Sequence, residues 1–93
     1  MATDERLVVY FSGHVQGVGF RFTALEIAHG FETVSGCVKN LPDGRVQVIA
    51  EGPPQHLANF LQRLAEAMRG HIASTETERL AATGEFSGFH MRR

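Results

Sequence analysis

The sequence predicts an α+β sandwich of order β-α-β-β-α-β, with an antiparallel sheet carrying two helices packed on one face. Three observations predict it. Residues 7 to 11 form a short apolar run on both faces of a strand, two later stretches carry apolar stripes at helical spacing, and a Pro-Asp-Gly turn joins two strand-like runs between those helices. Ninety-three residues suit one compact domain spanning 1–93, with a single core. A 43% hydrophobic fraction supplies enough apolar surface to offset chain entropy.

The first strand spans about 7–13. Leu7, Val9 and Phe11 alternate with Val8 and Tyr10, so both faces are apolar, as in a central strand between covered faces. A glycine-rich loop follows, Gly13-His14-Val15-Gln16-Gly17-Val18-Gly19, and then a helix begins near Arg21 and ends near Phe31. Its stripe is Phe20, Ala24, Ile27, Ala28 and Phe31. Gly30 either weakens or caps the last turn. Next, Gly36–Leu41 and Arg45–Glu51 make a hairpin around Pro42-Asp43-Gly44, where proline pre-sets φ and Asp-Gly tolerates the reversal. Gly52-Pro53-Pro54 opens the second helix, whose buried stripe is Leu57, Phe60, Leu61, Leu64 and Met68, and Gly70 ends it. Thr75–Leu80 is strand-tolerant without an apolar face, and Phe86, Phe89 and Met91 anchor a C-terminal strand. There is room for a short extra strand.

Two right-handed βαβ crossovers then interleave, the ferredoxin-like arrangement, with the first and third strands central. The glycine loop and the end of the second strand meet at one end of the sheet. Asn40 can therefore approach Arg21 although they are nineteen positions apart in sequence.

Gly13, Gly17 and Gly19 allow positive φ and close approach to a ligand. A strand-loop-helix corner of this kind aims backbone N–H groups and a helix N-terminus at one point, which makes an anion cradle, and Arg21 adds a planar fork of donors. The pattern lacks the Lys and hydroxyl of a nucleotide-binding P-loop and is not Gly-x-Gly-x-x-Gly. From spacing alone, a structural turn with a solvated Arg21 is as good a reading as an anion site.

Composition removes other classes. A net charge of −1 provides no basic field for nucleic acid or anionic membrane. The single cysteine, Cys37, excludes an internal disulfide, fits a reducing compartment and reads as a small buried hydrophobe. Asp4, Glu5 and Arg6 before five apolar residues do not make a signal peptide or membrane span, so a soluble cytoplasmic protein is the default expectation. The sequence does not fix the oligomeric state, and a monomer is expected. His14, His29, His56, His71 and His90 are scattered without paired ligand spacing, and no Ser-His-Asp arrangement can be inferred. Glu76 and Glu78 read as a solvated strand edge.

Gly13 to Arg21 resembles the signature of the acylphosphatases, and Gly36-Cys37-Val38-Lys39-Asn40 resembles their second motif. Leu41–Val46, Glu51-Gly52-Pro53 and Gly84–Phe89 are similar to bacterial members, so the resemblance covers nearly the whole chain in order. It implies hydrolysis of the carboxyl-phosphate bond of acyl phosphates, with no metal or organic cofactor. By the same resemblance Arg21 matches the phosphate-binding arginine and Asn40 the asparagine that positions water. The backbone amides of Val15, Gln16, Gly17, Val18, Gly19 and Phe20 match the phosphate loop. Three departures stand out. The interval from Arg21 to Asn40 is one residue longer than in the vertebrate enzymes, with the extra residue around Glu32 to Ser35. Absorbed in the helix-to-strand loop it leaves Asn40 in place, but as a bulge it displaces the site. Cys37 stands where tryptophan is usual, and His14 where arginine or lysine is common.

Two alternatives come from other classes. A non-catalytic module that binds acyl or carbamoyl phosphate is one, though the chain ending shortly after Phe89 favours a free-standing enzyme. An RNA-binding domain shares the topology but needs aromatic residues on the third strand, and Arg45–Glu51 has none.

Overall fold

The computed structural model describes residues 3–93. Seven elements follow one another: β1 (Glu5–Gly13), α1 (Phe20–Ala28), β2 (Ser35–Asn40), β3 (Val46–Gly52), α2 (Pro54–Ala67), β4 (Ile72–Ala81) and β5 (Phe89–Arg92). The sheet order is β4-β1-β3-β2-β5. Pairing is antiparallel across the first four strands, and β5 adds a parallel edge beside β2. The predicted βαββαβ order holds, the two middle positions of its four-stranded part belong to β1 and β3, and the extra strand is β5.

The side-chain alternation of a strand separates two faces. Leu7, Val9 and Phe11 of β1, Val38 of β2, and Val46, Val48 and Ala50 of β3 all enter the core with Ala24 and Ala28 of α1 and Leu57, Phe60 and Leu64 of α2. Phe60 sits at its centre, edge-on to Phe31 at 6.1 Å and Phe89 at 5.5 Å between ring centroids. Such tilted aromatic pairs add to the burial of the rings themselves.

The opposite face carries no helix, a departure from the two covered faces that residues 7–11 suggested. Val8 is nonetheless buried, and the Arg45 guanidinium lies 4.6 Å over the half-buried Tyr10 ring. The apolarity of both faces thus reflects a centrally placed strand rather than two helical layers. Cys37, on this face, is buried as expected, and burial pushes its thiol up.

Two boundaries differ from the sequence reading. Helix α1 stops at Ala28, three residues before Phe31, because Gly30 and Phe31 donate to Ile27 and Ala28, tightening the chain into i to i+3 bonds. Phe31 still reaches the core from the following turn. The strand expected within Thr75–Leu80 extends to ten residues, and only Ile72 is even partly covered. Backbone pairing along β1 makes it a strand without an apolar face, and its exposed Glu76, Glu78 and Arg79 discourage pairing with another chain.

Between β4 and β5 the chain is tied down by a buried carboxylate. Glu51, at the end of β3, accepts from the Thr83 amide at 3.0 Å, the Thr83 hydroxyl at 2.8 Å, the Gly84 amide at 2.9 Å and Arg6 at 2.9 Å. Arg6 also pairs with Glu85 and lies 5.3 Å over the Phe86 ring. Burial pushes the Glu51 carboxyl up, but these four donors outweigh it and hold the group at about 2. The linker is thereby tied to the end of β3 and to Arg6 of β1, and it delivers β5 to the edge beside β2.

Candidate functional site

The site lies where β1 hands over to α1. Strand β1 ends at a register shift between Ser12 and Gly13, where a Cβ on Gly13 would stand 2.6 Å from both the Ala73 nitrogen and the His71 oxygen. Only glycine fits this crossing. The following loop is pinned by three side chains: Val15 and Phe20 are buried, Val18 packs against the core, and the Phe20 ring centroid lies 5.0 Å from that of Phe11. Gly17 and Gly19, with φ of 77° and 79°, turn the backbone left-handed between these anchors. The side chains thus hold the loop from inside and leave its backbone facing outward.

Among the described residues, no backbone N–H from Val15 to Phe20 donates to a protein acceptor. Gly19 is the N-cap of α1 and provides no capping side chain, while its carbonyl accepts the first helical bond from Thr23 at 2.9 Å. A run of free N–H groups next to an uncapped helix start is able to receive an anion.

A cavity of about 170 Å³ opens on this loop. Val15, Gly17, Gly19, Phe20, Arg21, Phe22, Asn40 and Met91 line it. It brings together Arg21, Asn40 and four of the six predicted loop residues. Gln16 and Val18 are not in the lining. The larger groove of about 530 Å³ between the helices is lined by Glu26, Ile27, Gly30, Arg63, Glu66 and Ala67. Its two carboxylates and single guanidinium do not suit an anion, so size is no guide here.

The interval between Arg21 and Asn40 carries no bulge within β2. Val34 donates to Phe31 at 3.0 Å, closing a turn over residues 31–34. From Ser35 to Asn40 the register with β3 is unbroken, from Glu51 to Val46. Asn40 therefore ends β2 in unbroken register, and its carboxamide makes no hydrogen bond among the described residues. It is free to hold a water or a substrate oxygen.

Two supporting contacts were not legible in the sequence. The Gln16 carboxamide donates to the Leu41 carbonyl at 2.8 Å and to the Arg45 carbonyl at 2.9 Å, the two ends of the β2–β3 turn. That clamp joins the glycine-rich loop to the residue following Asn40. In addition, one Arg21 terminal nitrogen donates to the Arg92 carbonyl of β5 at 3.2 Å, so the last strand orients the guanidinium. Glutamine after an apolar loop residue carries no signal of a long-range partner, and a backbone acceptor has no sequence signature at all. The histidines are not all scattered either: His14 and His71 meet edge to face, 5.8 Å between ring centroids.

Comparison with known proteins places the chain in a family. Residues 7–91 match the model of the acylphosphatase family. The chain is 41% identical over 87 residues to an acylphosphatase of Thermus thermophilus, covering 92% of this chain and 97% of that one. It is 40% identical over 92 residues to an acylphosphatase of Acidothermus cellulolyticus, covering 90% and 83% respectively. The crystal structure of acylphosphatase from Bacillus subtilis superposes with a TM-score of 0.86 at 27% identity, covering 96% of this chain and 99% of that chain. The chain belongs to the acylphosphatase family.

Proposed function

We propose that this chain, as one domain, hydrolyses the carboxyl-phosphate bond of an acyl phosphate, with Arg21 and the loop amides binding the phosphoryl group and Asn40 orienting the water. The observation that carries the proposal is the single cavity that gathers Arg21, Asn40 and the backbone of Gly17 and Gly19. Water oxygen bonds to phosphorus as the bond from phosphorus to the acyl oxygen breaks. The products are a carboxylate, inorganic phosphate and a proton passed to solvent. The leaving carboxylate needs no general acid, so the protein has mainly to position the reactants and stabilise the equatorial oxygens.

Each residue type suits its part. A guanidinium meets two phosphate oxygens at once, and the Arg92 carbonyl restricts where that fork points. A neutral carboxamide at Asn40 accepts from water through oxygen and donates toward substrate through nitrogen, whereas a carboxylate there would repel the phosphate. The free loop N–H groups cost no reorganisation when charge develops. We further assign the chain to a reducing compartment, the cytoplasm, as a monomer requiring no metal. The lone buried Cys37 supports the compartment.

Phosphate release from acetyl phosphate and from a stable phosphate monoester, each measured with and without EDTA, tests the reading. Turnover of acetyl phosphate alone, indifferent to EDTA, is expected. Turnover of the monoester alone would sink the assignment.

A further inference from the structure

We propose that Phe22 and Met91 form an apolar subsite that selects acyl phosphates bearing a bulky aryl or branched acyl group over acetyl phosphate. The inference rests on the reading of the cavity as the site of an acyl phosphate. Among the described residues three large apolar side chains are exposed: Phe22 at 61%, Leu80 at 44% and Met91 at 40%. Two of those three line the one cavity that contains Arg21 and Asn40. The third, Leu80, lies on β4, at the far edge of the sheet from β5.

The lining divides by chemistry. Arg21, Asn40 and the glycine backbone supply donors for a phosphoryl group. Val15 and Phe20 are buried and contribute to the fold, which leaves Phe22 and Met91 as the apolar surface available to a ligand. They come from different elements. Phe22 follows Arg21 in the first turn of α1, and Met91 pairs with Val38 on β5, one residue before the carbonyl that holds Arg21. An acyl phosphate has the same two halves, a polar phosphoryl group and a carbon chain or ring. With the phosphoryl group against the donors, a ring attached to the carboxyl carbon can cover the Phe22 ring and the adaptable Met91 thioether. An acetyl group has too little apolar area to gain from either.

The experiment compares benzoyl phosphate and acetyl phosphate in the wild-type chain and in Phe22→Ala, Phe22→Leu, Met91→Ala and Leu80→Ala. The wild type should favour benzoyl phosphate in kcat/KM. Phe22→Ala and Met91→Ala should each lower the benzoyl-to-acetyl ratio about five- to tenfold, mainly through KM for benzoyl phosphate. Phe22→Leu should keep most of the ratio, and Leu80→Ala should leave the ratio and the activity unchanged. A ratio unmoved by both alanine variants, or equal losses on both substrates, would overturn the subsite while leaving the hydrolase reading intact. A wild-type chain that hydrolyses neither compound would overturn both.

Discussion

Replacing Gln16 by alanine tests whether the clamp between the anion loop and the β2–β3 turn positions the site. The side chain makes two hydrogen bonds, 2.8 Å to the Leu41 carbonyl and 2.9 Å to the Arg45 carbonyl. Neither carbonyl is orphaned by its loss, since Gly44 donates to Leu41 at 3.1 Å and Leu41 donates to Arg45 at 2.8 Å. The stability cost should therefore be only that of two ordinary hydrogen bonds, about 1–3 kcal/mol. The kinetic cost should be out of proportion, because the loop would no longer be held in register with Asn40. A misplacement of about 1 Å can cost roughly a hundredfold in rate. We expect Gln16→Ala to lower kcat on an acyl phosphate by about ten- to a hundredfold. Inhibition by inorganic phosphate should persist, because the loop amides and Arg21 remain. Gln16→Glu should be worse, since a carboxylate would face the same two carbonyl oxygens. Unchanged kcat in Gln16→Ala, with a urea titration showing the stability loss, would refute the positioning argument.

Three further outcomes follow from the same structure. Arg21→Lys should lose at least about a hundredfold in kcat/KM and weaken phosphate inhibition, because a point charge cannot serve both the Arg92 carbonyl and two phosphate oxygens. Near-normal turnover would show that charge alone suffices. The Glu51 carboxyl falls from an ordinary value of 4.5 to about 2 on folding, so the stability it contributes is present above pH 4.5 and lost as pH falls toward 2. That contribution is about 3 kcal/mol, and urea titrations should show Glu51→Gln less stable by this order at pH 7 and less sensitive to acid through the same window. Phe60→Ala should cost about 3–5 kcal/mol in the same titration, since the ring is fully buried between Phe31 and Phe89.

Periodicity in the sequence was enough to find both helices and the hairpin, because the apolar stripes of 57–68 and 46–50 are the ones the core uses. That Arg21 and Asn40 would share a cavity was legible because the topology itself brings the end of β2 to the loop after β1. Strand β4 was only half legible. Its ladder to β1 is made by backbone groups, which leave no pattern in the side chains. The early end of α1 was missed because Phe31 continues the apolar spacing while the chain has already tightened. The Glu51 network was invisible for another reason. A glutamate followed by Gly-Pro reads as a strand end, and its partners lie more than thirty positions away.

The most direct test of the account is the Asn40→Ala variant, assayed for turnover of an acyl phosphate and for inhibition by inorganic phosphate. Asn40 lines the cavity beside Arg21 with an unengaged carboxamide, which suits a group that acts on water rather than one that anchors the phosphate. Loss of one pre-organised polar group costs on the order of 10²–10³ in rate. The account predicts a fall of that size in kcat with KM and phosphate inhibition little changed. Full kcat in the variant would contradict it and would assign the positioning of the water to some other group.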